Sequence, residues 1–204
     1  MIKRIIFDID NTLLDTTKDC LDTYNIFIRE NNLNITAQWL YDLLETYHGN
    51  YEVDDLSSFL NANLNMDFDV NSLNDLLELY SHHSTLLDKD IPSVLSYLSN
   101  KYELVCLSSW YYKIQEERLN NAGILKYFKK VYGFENAGIK PDEKAFLAAC
   151  DNISLNECLI VGDSIKSDIE VPNKMGINTI LFNTSQITTD YDNITSLNEL
   201  VRRL

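Results

Sequence analysis

Residues 5–14 of the chain read Ile5-Ile6-Phe7-Asp8-Ile9-Asp10-Asn11-Thr12-Leu13-Leu14. The apolar run at the start is typical of a buried strand, and two carboxylates follow it, two positions apart. Because open α/β folds bind ligands beyond the carboxyl ends of their strands, Asp8 and Asp10 are placed where they can converge on one. At about 4 Å, two such charges repel by roughly 4 kcal/mol at an effective dielectric constant near 20. A divalent cation would offset that repulsion, although this stretch alone is also compatible with a pair of surface aspartates in a polar turn.

Four more short apolar segments follow, with helical patterns between them. The five predicted strands are Ile2–Ile9, Glu103–Leu107, Val131–Phe134, Cys158–Val161 and Thr179–Phe182. Strands that are apolar nearly throughout and separated by helices are typical of a parallel sheet covered on both faces. A capping box at Ser196–Glu199 indicates a last helix at Leu197–Leu204. The sequence therefore predicts an α/β protein with a doubly wound, Rossmann-like parallel sheet.

The long segment between the first two predicted strands has helical periodicity and no strand pattern. Its apolar residues fall into four helical groups: Leu21, Tyr24, Phe27 and Ile28; Trp39, Leu40, Leu43, Leu44 and Tyr47; Leu56, Phe59 and Leu60; and Leu73, Leu76, Leu77 and Tyr80. We therefore predict a small α-helical cap domain at residues 15–87, inserted into a core made of residues 1–14 and 88–204. Tyr47, His48, Gly49 and Asn50 separate two of the predicted helices, either as a loop that faces the site or as an ordinary connection.

The composition is that of an ordinary globular protein with an acidic balance: 204 residues, 45% hydrophobic, 24% charged and a formal net charge of −14. Because the chain has no basic stripe, we expect neither a nucleic-acid-binding surface nor attraction to an anionic membrane. The four cysteines are scattered without a zinc-binding spacing, which favours packed free thiols in a reducing compartment. No apolar run is long enough for a membrane span or a signal peptide, so we expect a cytoplasmic protein.

Further polar residues fall at the ends of later predicted strands or just before a helix. They are Ser108 and Ser109 after the second strand, Lys140 before a helix, and Gly162, Asp163 and Asp168 after the fourth strand. A hydroxyl and free amides at a strand–helix junction can hold an anion, and a glycine lets the backbone approach a ligand closely. A serine pair or a lysine is common in turns and solvated loops, so each carries weight only together with the aspartates.

In this order and spacing, the segments resemble the motifs of the haloacid dehalogenase-like hydrolase superfamily. Its first motif, Asp-x-Asp-x-Thr, and its fourth, Gly-Asp-x-x-x-x-Asp, are specific, and the chain matches them with Asp8, Asp10, Thr12, Gly162, Asp163 and Asp168. Ser108 and Lys140 match the second and third motifs. Two positions depart from the usual pattern: Ser109 stands where many relatives have Asn, and Pro172 puts in doubt the start of the helix after the fourth motif.

The resemblance implies a Mg²⁺-dependent phosphatase with a helical cap. Asp8 would be the nucleophile that forms an aspartyl-phosphate, and Asp10 the general acid and base. Mg²⁺ would be bound by Asp8, the Asp10 carbonyl and Asp163, with Asp168 ordering these ligands. The side chains expected to hold the phosphoryl group are Ser108, Ser109 and Lys140.

Several functions remain open at this level. Carbon–halogen cleavage needs no proton for the leaving group, so Asp10 argues against a dehalogenase. A phosphomutase of the same superfamily, or a catalytically retired binding or regulatory module, are the alternatives to a phosphatase. The expected substrate is a small phosphorylated metabolite, such as a nucleoside monophosphate, phosphoglycolate or a sugar phosphate. The sequence does not choose among these, and it does not indicate the oligomeric state.

Overall fold

The computed structural model describes residues 1–47, 52–64 and 69–204. The chain divides into two compact units, one made of residues 1–15 and 86–204 and the other of residues 16–85. That the first unit is a catalytic core and the second a cap stays a prediction. In the described part of the chain, no helix is both long enough and apolar enough to cross a membrane.

The smaller unit contains helices and no strand in its described residues. The helices are α1 (Thr16–Glu30), α2 (Ala37–Glu45), α3 (Val53–Leu64) and α4 (Val70–Ser81). Leu40, Leu60 and Leu73 are buried, as the helical periodicity predicts. The prediction is wrong for Trp39, which is 43% exposed because successive residues of a helix lie about 100° apart and Leu40 defines the inward face of α2.

Part of the predicted loop of the helical unit lies beyond α2. The ring of Tyr47 contacts the ring of Phe59 on α3, with 4.9 Å between their centroids. His48, Gly49 and Asn50 lie outside the described residues. A binding role for this loop therefore stays a prediction.

The larger unit is built on one parallel sheet, in which six strands are formed by the described residues. They are β1 (Arg4–Phe7), β2 (Glu103–Leu107), β3 (Lys130–Tyr132), β4 (Cys158–Gly162), β5 (Asn178–Phe182) and β6 (Asn193–Ile194). The order β3-β2-β1-β4-β5-β6 reverses the direction of winding beside β1, which confirms the predicted doubly wound, Rossmann-like class. The sequence analysis missed β6, because two residues make no periodic pattern, and extended the third strand too far.

Helices cover both faces of the sheet. They are α5 (Ile91–Ser99), α6 (Tyr112–Asn121), α7 (Phe134–Ala137), α8 (Glu143–Cys150), α9 (Glu170–Met175) and α10 (Asn198–Arg203). On β1, Ile5 and Phe7 join a cluster with apolar residues of α5 and α10, whereas Ile6 joins a cluster with residues of α8. All three side chains are fully buried, and each contributes about 1.5–3 kcal/mol to folding. This two-sided burial explains why β1 is apolar at every position after Arg4.

The helix after β4 starts in an unusual way. A single π-helical turn at Ile165–Ile169 leads into α9, and Pro172 lies in the first turn of α9. Proline is tolerated in a first turn, where its missing N–H costs little. The departure noted at Pro172 is therefore accommodated by the local backbone.

A buried arginine lies at the amino end of the central strand. Arg4 is 4% exposed, forms an ion pair with Glu103, and donates to the carbonyls of Ala149 and Cys150, at 2.7 Å each. It thereby joins β1 and β2 to the last turn of α8, where a positive charge is favourable. The four cysteines are free and buried, as predicted: Cys20, Cys106, Cys150 and Cys158.

Candidate active site

The carboxyl ends of adjacent strands bring the predicted motifs to one edge of the sheet. Phe7 is in parallel register with Cys106 of β2 and with Val161 of β4. The N–H of Asp8 continues this pairing by donating to the Val161 carbonyl at 2.9 Å. Asp8, Ser108 and the residues after Val161 consequently meet where the winding reverses, which is where open α/β sheets bind their ligands.

The Asp8 carboxylate is buried and held by one donor on each oxygen. Fully buried Thr12 donates to Oδ2 at 3.3 Å, and Lys140 Nζ donates to Oδ1 at 2.5 Å. The turn that returns Thr12 to Asp8 passes through Asn11, whose φ of 55° is left-handed and easier for asparagine than for most residues. The orientation of the Asp8 carboxylate is therefore set by its neighbours.

Lys140 lies between two aspartates. Its Nζ is 2.5 Å from Asp8 Oδ1 and 2.6 Å from Asp168 Oδ1, and its side chain is 6% exposed. Burial acts to lower the pKa of Lys140, but Asp168 and Asp8 outweigh it and raise the pKa above its usual range. The backbone N–H of Lys140 donates to Ser109 Oγ at 3.0 Å, so Ser109 positions the loop that carries the lysine. Lys140 is a fixed positive charge at this edge.

Asp168 is returned to the site by the π-helical turn after β4. Its Oδ2 accepts the Ser164 N–H at 3.1 Å, while Oδ1 accepts Lys140. Gly162 leaves room for this carboxylate, because a Cβ atom at position 162 would lie 2.5 Å from Cγ and Oδ2 of Asp168. The glycine of the fourth motif therefore has a packing role in this chain.

Three carboxylates form a cluster that could hold a cation. Oxygens of Asp8, Asp163 and Asp168 lie within 4.8 Å of one another. Burial raises the pKa of Asp8 well above its usual value, with Lys140 opposing the shift, and burial and Asp168 raise the pKa of Asp163 to about 6. Both shifts mean that the folded protein disfavours negative charge at the cluster, chiefly because the carboxylates are buried. A small divalent cation with a preference for oxygen ligands, such as Mg²⁺, fits this donor set.

The Asp10 side chain is held separately from the cluster, beside Ser108. Fully buried Ser108 donates from Oγ to Asp10 Oδ2 at 3.0 Å and accepts the Trp110 N–H at 3.1 Å. The metal contact predicted for Asp10 involves its backbone carbonyl and stays a prediction. The structure brings Ser108 to Asp10, and Ser109 to the backbone of Lys140.

Comparison with known families identifies the chain. The profile described as haloacid dehalogenase-like hydrolase matches residues 5–182, which include the strands that carry the site. The chain is a haloacid dehalogenase-like hydrolase.

The known proteins to which this hydrolase is similar in sequence or in fold include phosphatases and dehalogenases. A phosphoglycolate phosphatase of Nitrosospira multiformis is 26% identical, and the match covers 80% of this chain and 76% of the relative. A Bacillus subtilis protein described as a HAD hydrolase bound to magnesium superposes with a TM-score of 0.81 at 20% identity, covering 100% of this chain and 98% of the other. A 2-haloacid dehalogenase of Pseudomonas syringae pv. tomato gives a TM-score of 0.75 at 20% identity, covering 99% and 97%. At these identities the two solved structures support the fold alone.

Two site residues of this haloacid dehalogenase-like hydrolase were missed by the sequence analysis. Gln115 donates from Nε2 to Asp10 Oδ2 at 2.7 Å and to Ser108 Oγ at 2.9 Å. Arg118 donates from Nη1 to Asp10 Oδ1 and to Gln115 Oε1, at 3.0 Å each. The sequence signal was limited to their spacing of three, which places both beside Leu119 on one helix face; that this face of α6 is buried is seen only in the structure. Polar residues at such inward positions of a helix indicate a buried network.

In this hydrolase, Gly162→Ala is expected to displace Asp168. Because Asp168 is buried and bonded to Lys140 and Ser164, its movement should cost about 1–3 kcal/mol of unfolding free energy. Losing the support that Asp168 gives to Lys140 and the acidic cluster should lower turnover about 10–100-fold. Thermal unfolding and initial rates would measure both effects.

Gly123→Ala is the matched control for that substitution. Gly123 has a φ of 72°, and apart from its own residue and its chain neighbours no atom lies within 4 Å of the position of its Cβ. The variant should lose about 1 kcal/mol through backbone strain and keep its turnover. If Gly162→Ala were as stable and as active as the wild-type protein, the position of Asp168 would be unimportant.

Proposed function

We propose that this hydrolase cleaves phosphate monoesters through an aspartyl-phosphate on Asp8. The observation that carries the proposal is the second carboxylate, Asp10, which lies two residues after the residue that would attack and is held by Ser108. Hydrolysis of a phosphate ester expels an alkoxide, which needs a proton, whereas a halide leaves without one. A general acid two residues from the nucleophile therefore favours phosphate transfer over dehalogenation.

The proposed reaction has two steps. An Asp8 oxygen attacks phosphorus and the bond from phosphorus to the leaving oxygen breaks, while Asp10 gives that oxygen its proton. Water then attacks the aspartyl-phosphate, Asp10 takes back a proton, and phosphate leaves with Asp8 restored. Asp8 suits the first step because Thr12 and Lys140 fix the direction of its oxygens.

The charged neighbours suit a phosphoryl group. Lys140 would balance negative charge that develops in transfer, while Ser109 holds its backbone. Ser108 already donates its proton to Asp10, so a contact from its hydroxyl to phosphate requires it to exchange that bond. Asp8, Asp163 and the Asp10 carbonyl would hold Mg²⁺, with Asp168 ordering them. Bound Mg²⁺ would neutralise charge on the phosphoryl oxygens.

The substrate class we propose is a small phosphorylated metabolite. The similarity to a phosphoglycolate phosphatase supports this class, at 26% identity. Phosphoglycolate, nucleoside monophosphates and sugar phosphates are the compounds to test first.

The experiment is a panel of these esters and of 2-haloacids, assayed in parallel for released phosphate and released halide in the presence of Mg²⁺. We expect phosphate release from at least one ester and no halide release. Halide release without phosphate release would assign a dehalogenase and reject the proposal. Phosphate returned as an isomeric ester, without free phosphate, would assign a phosphomutase.

A further inference from the structure

We infer that Gln115 and Arg118 are positioning residues for Asp10, an inference that rests on the proposed function. Together with Ser108 they form what we call the Asp10 clamp. The clamp is supplied by the end of β2 and by one face of α6. It would hold the general acid in the orientation from which a proton reaches the leaving oxygen.

The hydrogen bonds of the clamp engage both oxygens of Asp10. Arg118 donates to Oδ1 at 3.0 Å, and Ser108 and Gln115 donate to Oδ2 at 3.0 and 2.7 Å. Gln115 is in turn oriented by Arg118, which donates to its Oε1 at 3.0 Å. With both oxygens engaged, rotation of the Asp10 side chain requires breaking several charge-assisted hydrogen bonds. The carboxylate is thereby restricted to one orientation.

The burial of the donors argues that this arrangement has a function beyond stability. Arg118, Gln115 and Ser108 are all 0% exposed, whereas the Asp10 side chain is 30% exposed. Removing a guanidinium from water costs several kcal/mol, and ion pairs in protein interiors often do not offset such a cost in full. We therefore attribute to this buried network a role in orienting the Asp10 carboxylate.

A correctly oriented acid matters most when the leaving group is poor. An alkyl phosphate expels a strongly basic alkoxide and depends on the proton, whereas a nitro-substituted aryl phosphate expels a stable phenolate and depends on it little. Loss of the clamp should therefore act on kcat for the alkyl ester. Replacing Arg118 should change the binding of the phosphoryl group, and hence KM, little because Arg118 is not among the residues expected to hold that group.

The test compares Arg118→Met, Arg118→Lys and Gln115→Met on an alkyl and a nitroaryl phosphate. For Arg118→Met we expect kcat to fall about 10²-fold or more on the alkyl ester and less than about tenfold on the aryl ester. Arg118→Lys should recover part of the loss, because an ammonium keeps the positive charge and can still donate to Asp10. In an Asp10→Asn background, Arg118→Met should add less than about a twofold further loss, since it acts through Asp10.

Arg4→Met is the matched control, because Arg4 is also buried and ion-paired but lies at the opposite end of β1. It should lower stability without changing the ratio of alkyl to aryl turnover. If Arg118→Met does not fold, the ratio of alkyl to aryl turnover is measured for Gln115→Met instead. This variant replaces a neutral group and should disturb folding less. Equal losses on both esters, or a full additional loss in the Asp10→Asn background, would overturn the clamp. A wild-type enzyme inactive on both esters would overturn the proposed function itself.

Discussion

Replacing Asp8 with asparagine is expected to abolish turnover of every phosphate monoester while the protein remains folded. An amide is a poor nucleophile and cannot form the aspartyl-phosphate, so kcat should fall by about 10⁴-fold or more. The fold should survive because burial disfavours the charged form of Asp8, and a neutral group of the same shape relieves that cost. Lys140 retains its ion pair with Asp168 in this variant.

Rates should be measured together with covalent labelling of the protein by a phosphate ester. The wild-type protein should carry a phosphoryl group on Asp8 after rapid quenching, and Asp8→Asn should carry none. Asp192→Asn is the control, since Asp192 pairs with the partly exposed Arg203 and has no place in the proposed site. An Asp8→Asn variant that kept more than about a tenth of wild-type turnover would rule out the covalent route.

Removal of divalent cations is expected to have an effect of similar size. With excess chelator, turnover should fall to background, because the carboxylates of Asp8, Asp163 and Asp168 would face a phosphate dianion while Lys140 is the one cation ion-paired to them among the described residues. Mg²⁺ should restore turnover and also raise the melting temperature, since it binds only where the fold has assembled the cluster. Full turnover in excess chelator would reject the metal assignment.

The variant Asp163→Asn distinguishes stabilisation by bound Mg²⁺ from a general effect of salt, because it removes one of the expected metal ligands. The pKa of Asp163 is about 6 in the folded protein, against an ordinary 3.8. Between these two pH values the folded state therefore binds a proton that the unfolded state does not. Metal-free wild-type protein should consequently become more stable as the pH falls from 7 towards 4. The variant should be on the order of 1 kcal/mol more stable than wild type at pH 7 without metal, because part of the buried charge is gone. It should lose most of the stabilisation by Mg²⁺.

The fold could be predicted from sequence because β1 is buried on both faces and its pattern is therefore unbroken. The convergence of Asp8, Lys140 and Asp168 could also be anticipated, since the carboxyl ends of parallel strands share one edge. What the sequence could not supply was the environment of Asp10. Gln115 and Arg118 are residues that usually lie on the exposed face of a helix, and only the rotation of α6 against the sheet places them inward. Similarly, β6 is too short to leave a pattern.

The place of β1 in the sheet has a consequence for synthesis on the ribosome. Among the six strands of this sheet, β1, which Asp8 directly follows, is made first, yet its two neighbours begin at Glu103 and Cys158. At about 5–20 residues per second, roughly 8–30 seconds separate translation of Asp8 from translation of Cys158. Until then, the apolar stretch Ile5–Phe7 of the nascent chain lacks one of its partners and is open to wrong pairing. Folding of the core is thus a late, cooperative event, and a chain truncated before β4 would possess the nucleophile without the sheet that orients it.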